Sequence, residues 1–201
     1  MNTLIVYCHP SKESYTYQIL SQLKKVLKND NISFEISDLY EMEFQSDMTI
    51  QEYKREGLLN LELPIPKDVQ QEHKKIKKAH CIIFLYPVWW SDCPAKLKGW
   101  FDRVYSVGYA YGHDKSKQES QKMKPIKYGL SVCTAGHSNS FLKEIGIAES
   151  MRNVMLDDRL GQRFINKEMM ILGGTSDRAK VEKKHSEIVE SISKQITKYC
   201  G

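Results

Sequence analysis

The sequence predicts an α/β protein: a doubly wound, five-stranded parallel sheet in the order 2-1-3-4-5, with helices on both faces. Three observations predict it. Short apolar runs alternate with amphipathic segments of helical spacing, the pattern of βαβ units around a parallel sheet. The run Cys81-Ile82-Ile83-Phe84-Leu85-Tyr86 is apolar throughout, as a fully buried strand requires. Right-handed crossovers leave few topologies for five such strands.

The elements follow in order. Leu4 to Cys8 is a short first strand. Ser14 to Lys28 reads as a helix, with Ile19, Leu20, Leu23, Val26 and Leu27 on one side. Ser33 to Leu39 alternates, as an edge strand does. Residues 40–66 are polar-rich and are expected to form an irregular surface excursion. Asp68 to Ala79 is a charged helix that feeds the strand Cys81 to Tyr86. The next helix has Pro94 in its first turn. Its apolar stripe is Leu97, Trp100, Phe101, Val104 and Tyr105. Residues 112–124 form a polar loop with little to bury. Tyr128 to Cys133 is the fourth strand, Ser140 to Asp158 a helical region, and Met169 to Leu172 a fifth strand stopped by Gly173-Gly174. The last helix carries Val181, Ile188, Ile192 and Ile196. No repeat or low-complexity tract interrupts this order, so residues 1–201 are expected to form a single domain.

At 201 residues and 41% apolar composition the chain is long enough and apolar enough for a real core. The net charge of +5 is modest. Its basic runs, Lys74 to Lys78 and Lys115 to Lys124, lack interleaved aromatics, so they read as solvated faces rather than a nucleic-acid surface. Met1-Asn2-Thr3 leads straight into Leu4-Ile5-Val6-Tyr7, without the basic region and long apolar core of a secretion signal. No apolar run reaches membrane-spanning length. Cysteines 8, 81, 93, 133 and 200 form no CxxC pair, and Cys8, Cys81 and Cys133 sit in or beside strands as buried thiols would. A cytoplasmic protein is expected. The six histidines are scattered, no HExxH or Cys/His cluster marks a metal site, and no GxSxG elbow is present.

In this topology the loops after strands one, three and four converge on one edge of the sheet, where open α/β sheets hold ligands. The first loop runs from His9 to Thr16. Hydroxyls at Ser14 and Thr16, together with free N–H groups at a helix start, make an anion site, and His9 and Lys12 add positive charge. An ordinary N-cap by Ser14 or Ser11 accounts for the same residues. GxGxxG and GxxxxGK[ST] are both absent.

The second loop, Pro87-Val88-Trp89-Trp90-Ser91-Asp92-Cys93-Pro94, is the most informative. Two adjacent indoles at a strand's carboxyl end suit a platform for a flat aromatic cofactor. Adjacent residues leaving a strand point to opposite sides, so one of the two indoles is expected to be structural, and its loss mainly to lower stability. The third loop is Thr134-Ala135-Gly136-His137-Ser138-Asn139-Ser140. Its small residues let backbone N–H groups approach a ligand. His137 either shuttles a proton or is a lone surface histidine. Gly108-Tyr109-Ala110-Tyr111-Gly112-His113 reads as an aromatic wall or as a simple turn with half-buried rings.

These segments, with the helix Pro94-Ala95-Lys96-Leu97-Lys98-Gly99-Trp100-Phe101-Asp102-Arg103-Val104, resemble the flavodoxin-like NAD(P)H:quinone oxidoreductases. The resemblance runs in order from the N-terminus to about Gly136. Tyr109-Ala110-Tyr111-Gly112-His113 is similar to the ancillary quinone reductases of glutathione-gated potassium efflux. The resemblance implies a flavodoxin-like fold, a bound FMN or FAD, NAD(P)H as electron donor and a homodimer with its active site at the interface. It places His9, Ser14, Tyr15 and Thr16 at the flavin's phosphate and ribityl region. Pro87, Val88, Trp89 and Trp90 fall beside the ribityl and the ring, and Thr134, Ala135 and Gly136 at the pyrimidine edge. Tyr109 and Tyr111 fall in the substrate pocket of the neighbouring subunit, with His137 as a further catalytic candidate. The chain departs from the family in having Thr134-Ala135-Gly136 where Thr-Gly-Gly is frequent. The Tyr-to-His113 run favours FMN.

The implied activity is two-electron, ping-pong reduction of a quinone-like acceptor. The alternatives are reduction of azo or nitro compounds at the same site, and peripheral binding and regulation of a potassium-efflux transporter. A flavodoxin electron carrier fits less well, because carriers are typically acidic.

Overall fold

The computed structural model describes residues 1–112 and 123–201. Five strands form one parallel sheet: β1 (Asn2–Tyr7), β2 (Ser33–Asp38), β3 (Cys81–Pro87), β4 (Ile126–Ala135) and β5 (Phe164–Gly173). Their order is β2-β1-β3-β4-β5, as the sequence predicts. Every residue of the central β3 is buried, and the edge strand β2 alternates. Part of the expected polar loop, 113–122 with His113, lies outside the described residues.

Side chains alternate across the sheet with the period of two that a strand imposes. Leu4, Val6, Ile82, Phe84 and Tyr86 face one layer; Ile5, Tyr7, Ile83 and Leu85 face the other. On the second face lie α1 (Tyr15–Asn29) and the long C-terminal helix Arg178–Cys200, which meet through Ile19, Leu20, Leu23 and Leu27 and through Val189, Ile192 and Ile196.

The first face is covered by three groups of helices. Residues 40–66 are not irregular throughout, as the sequence suggested, because they contain α2 (Ile50–Gly57). A capping box starts it: the Glu52 N–H donates to the Thr49 hydroxyl at 3.2 Å, and the Thr49 N–H to the Glu52 carboxylate at 2.8 Å. Then come α3 (Lys67–Lys78) and α4 (Ala95–Val104), which bury Val69, Ile76, Leu97, Trp100, Phe101 and Val104. Arg103 of α4 ties the excursion down, donating to Glu52 at 2.6 Å, to Asp68 at 2.6 Å and to the Gln45 carbonyl at 2.5 Å. The Ser46 backbone lies against Gly99, where a Cβ would collide with its carbonyl.

The helical region expected over 140–158 is divided. It comprises α5 (Asn139–Glu144), α6 (Ile147–Arg152) and a π-helical stretch, Asn153–Leu160. The division falls at Gly146, whose φ of 76° ends the first helix. The C-terminal helix is α7 in this numbering. β5 begins at Phe164 rather than Met169, because pairing with β4 extends it through Asn166, Lys167 and Glu168, polar, half-buried edge residues that interrupt the apolar signal.

Candidate cofactor and active site

β1 passes to β2 on one side while β3 lies on its other side. Open α/β sheets hold ligands at such a switch point, outside the carboxyl ends of the strands, and here three contacts draw the loops after β1, β3 and β4 together. The hydroxyls of Thr16 and Thr134 are 2.7 Å apart, buried, and join the first loop to the third. The Val88 N–H donates to the Thr134 carbonyl at 2.8 Å, joining the second to the third. The rings of His9 and Trp89 meet edge to face, centroids 5.9 Å apart, joining the first to the second.

In the first loop Ser14 is the N-cap of α1. Its hydroxyl accepts from the Tyr17 N–H at 3.1 Å and donates to the Ser11 carbonyl at 2.8 Å. The N–H groups of Tyr15 and Thr16, in the first turn, have no intrahelical carbonyl to bind, and the helix dipole adds positive potential there. The Ser11 N–H donates to His9 Nδ1 at 3.0 Å, which assigns the neutral ring's proton to Nε2. Burial pushes the His9 pKa below the ordinary histidine value. The imidazole is thus a neutral donor at pH 7. Tyr15 serves the fold: its ring is buried and its hydroxyl lies 2.9 Å from His185 Nδ1 on α7.

In the second loop Pro87 is the last, buried residue of β3, and Val88 is half-buried. Trp89 is 41% exposed and Trp90 fully exposed, so neither is the structural indole that the sequence suggested. The two do not alternate in and out because the chain turns there. Trp90 and Ser91 have φ of 48° and 66°, and Trp89 and Asp92 exchange backbone hydrogen bonds at 2.9 and 3.1 Å. Two consecutive positive φ values inside such a pair describe a type I′ turn. The buried indole is Trp100, whose Nε1 donates to Glu72 at 2.8 Å.

In the third loop Thr134 and Ala135 are buried and Gly136 and His137 are exposed. The His137 carbonyl accepts from the Gly174 N–H at 2.8 Å, and its ring lies against Phe141, centroids 4.7 Å apart. Tyr109 and Tyr111 lean the other way. Tyr109 is buried and stacks on His73 of α3 at 3.5 Å. Tyr111 donates to Glu56 of α2 at 2.8 Å, and the Val107 N–H donates to the same carboxylate at 2.6 Å. Among the described residues the side-chain hydrogen bonds and ring contacts of both tyrosines run to α2 and α3, not to the three loops.

Two residues at these loops carried no role in the sequence reading. Arg159, on the π-helical stretch, donates through Nη1 and Nη2 to the two Asp92 carboxylate oxygens at 2.7 and 2.8 Å. Asp92 also accepts from the Cys93 N–H at 2.6 Å. Burial works to raise the Asp92 pKa, but the guanidinium and the Cys93 N–H outweigh it and hold the carboxyl below its ordinary value. Sequence spacing gives no signal for a pair 67 residues apart. The missed α2 did leave one, in Thr49-Ile50-Gln51-Glu52.

An open parallel sheet of order β2-β1-β3-β4-β5 with an indole-bearing loop at its switch point defines a flavodoxin-type α/β protein. The family model described as flavodoxin-like fold matches residues 1–196. An uncharacterized NAD(P)H oxidoreductase of Haemophilus influenzae is 32% identical over 160 residues, 78% of this chain and 75% of that protein. NAD(P)H dehydrogenase (quinone) 1 of Cavia porcellus is 30% identical over 153 residues, 69% of this chain; the chain spans 54% of that relative's length. The solved NAD(P)H:quinone oxidoreductase from Methanothermobacter marburgensis superposes with a TM-score of 0.84 at 39% identity, covering 96% of both chains. The chain belongs to the flavodoxin-like family, and within it to the lineage of the NAD(P)H:quinone oxidoreductases.

Proposed function

We propose that the chain is a flavin-dependent NAD(P)H oxidoreductase that reduces quinones or similar acceptors by two electrons. The observation that carries this reading is the three-way closure at the switch point, with Trp89 at its rim and Trp90 free in solvent. The residues fit a flavin. The first turn of α1 and the Nε2–H of neutral His9 would hold its phosphate. Val88, Trp89 and Trp90 would flank the ring, and the segment Thr134 to Gly136 would bring backbone N–H groups to the ring's polar edge, where negative charge is stabilised. A bound flavin supplies hydride acceptance from the nicotinamide and hydride donation to the acceptor; the chain supplies binding, orientation and polarity. FMN is the form favoured by the likeness of the Tyr109-to-His113 sequence.

Sequential use of one slot by NAD(P)H and acceptor gives parallel double-reciprocal lines, the ping-pong pattern. A homodimer would bring Tyr109 and Tyr111 toward the partner's slot, consistent with side-chain contacts that run to α2 and α3 and not to the chain's own three loops. No helix among the described residues is long and apolar enough to cross a membrane; the proposed location is the cytoplasm. The same Tyr109-to-His113 likeness supports a second reading, peripheral association with a potassium-efflux transporter, which co-purification tests.

The direct test is the visible spectrum of the purified protein. Flavin bands that bleach on anaerobic addition of NADPH or NADH, and return on adding a quinone, are expected. A colourless protein that takes up neither FMN nor FAD overturns the reading. Mass measurement of the released chromophore distinguishes the two flavins.

A further inference from the structure

We infer that Asp92 and Arg159 form a clamp that holds the tryptophan turn in the shape the slot needs, both acting as positioning residues rather than catalytic ones. The inference rests on the reading of the slot as a flavin site.

The turn does not hold itself. Trp90 and Ser91 both occupy the left-handed region, which glycine or asparagine ordinarily fills in a type I′ turn. A tryptophan and a serine there are uphill. Trp90 is fully exposed, so its side chain packs against nothing that would repay the strain. The two backbone hydrogen bonds between Trp89 and Asp92 close the turn without fixing its direction relative to the sheet.

Direction comes from Asp92. Its carboxylate takes both arms of one guanidinium at 2.7 and 2.8 Å and the Cys93 N–H at 2.6 Å, a bidentate geometry that fixes orientation as well as distance. The other jaw is rigid. The Arg159 side chain is buried, and its guanidinium lies 5.5 Å from the centroid of Phe101 and 3.4 Å from Cys93 Sγ. The Arg159 carbonyl accepts from Arg163 Nε at 3.1 Å and Nη2 at 2.9 Å, which pins the end of the π-helical stretch. π-helical turns recur at functional sites, and Arg159 lies on this one.

A clamp that served only to join the π-helical stretch to α4 would affect stability alone. A clamp that sets the turn affects what the turn touches. The experiment compares Asp92→Asn, Arg159→Lys and Arg159→Gln with the wild-type holoenzyme, and uses Asp102→Asn, which breaks the exposed Lys98–Asp102 pair, as a control. Three readouts are taken: the Kd of the apoprotein for FMN and FAD by flavin fluorescence, kcat and KM for a naphthoquinone, and the tryptophan emission maximum. Asp92→Asn and Arg159→Lys are expected to raise the flavin Kd and the quinone KM at least five-fold, with kcat within two-fold and a shifted emission. Asp102→Asn is expected to change none of these. Variants that melt earlier yet keep wild-type Kd, KM and emission overturn the clamp and leave a structural pair. If the Arg159 variants do not fold, Asp92→Asn carries the test, since its side chain is half-exposed. Wild-type protein that binds no flavin overturns the flavin reading, and this inference with it; wild-type protein that binds flavin no better than the variants overturns the clamp alone.

Discussion

Ser91 and Trp90 are held in a backbone conformation that disfavours them, and both side chains are exposed. A non-glycine residue in the left-handed region loses about 1–2 kcal/mol, and glycine's greater unfolded-chain entropy returns about 0.5–1 of that. Ser91→Gly is therefore expected to stabilise the protein by about 0.5–1 kcal/mol in urea titration. Trp90→Ala is expected to leave stability within about 0.5 kcal/mol while weakening flavin retention; unchanged retention would remove Trp90 from the slot. At this scale the sequence was legible where chemistry is local. The His9 loop, the Val88-Trp89 segment and the Thr134 loop are brought together as their places after β1, β3 and β4 require. What was not legible was direction. Trp89 and Trp90 were expected on opposite sides, because alternation holds along a strand but fails inside a turn with two positive φ angles. Tyr15 is expected at the flavin, yet its ring turns inward to His185.

Among the elements, α4 sets the terms for the segment before it. Gly99 has no room for a side chain under Ser46, and Arg103 holds three acceptors from residues 45–68. Gly99→Ala is expected to destabilise by about 1–3 kcal/mol through overpacking. Arg103→Ala is expected to lose about 3 kcal/mol or more, because Glu52 then remains as a buried charge without its partner. Chemical denaturation midpoints check both, and an Arg103→Ala protein as stable as wild type would show that the excursion folds without α4. The apolar stripe of α4 is plain in the sequence, while α2 carries no such stripe because its burial is polar: Glu52 and Arg55 are its buried residues. A reading keyed to apolar periodicity does not see a helix that docks by ion pairs.

For the molecule as a whole, the parallel sheet was the most legible feature, since strands buried on both faces are written as unbroken apolar runs. Its stability should depend on pH through three histidines. Burial lowers the pKa values of His9, His73 and His185 below 6.5, for His73 and His185 against an opposing hydrogen bond to the backbone. Below that value the unfolded chain binds protons that the folded chain refuses, so stability is full above about pH 6.5 and falls with acidification. A melting temperature that did not drop between about pH 7 and about pH 5 would contradict this. One helix links the distant parts of this architecture. α2 offers Glu52 to Arg103 on α4, and Glu56 to Tyr111 and the Val107 N–H. An acceptor resting on Tyr111 would therefore steady backbone amides it never touches. Deuterium uptake across residues 50–57 should slow when a quinone analogue is added, and equal uptake with and without it would mean that this strut carries no message.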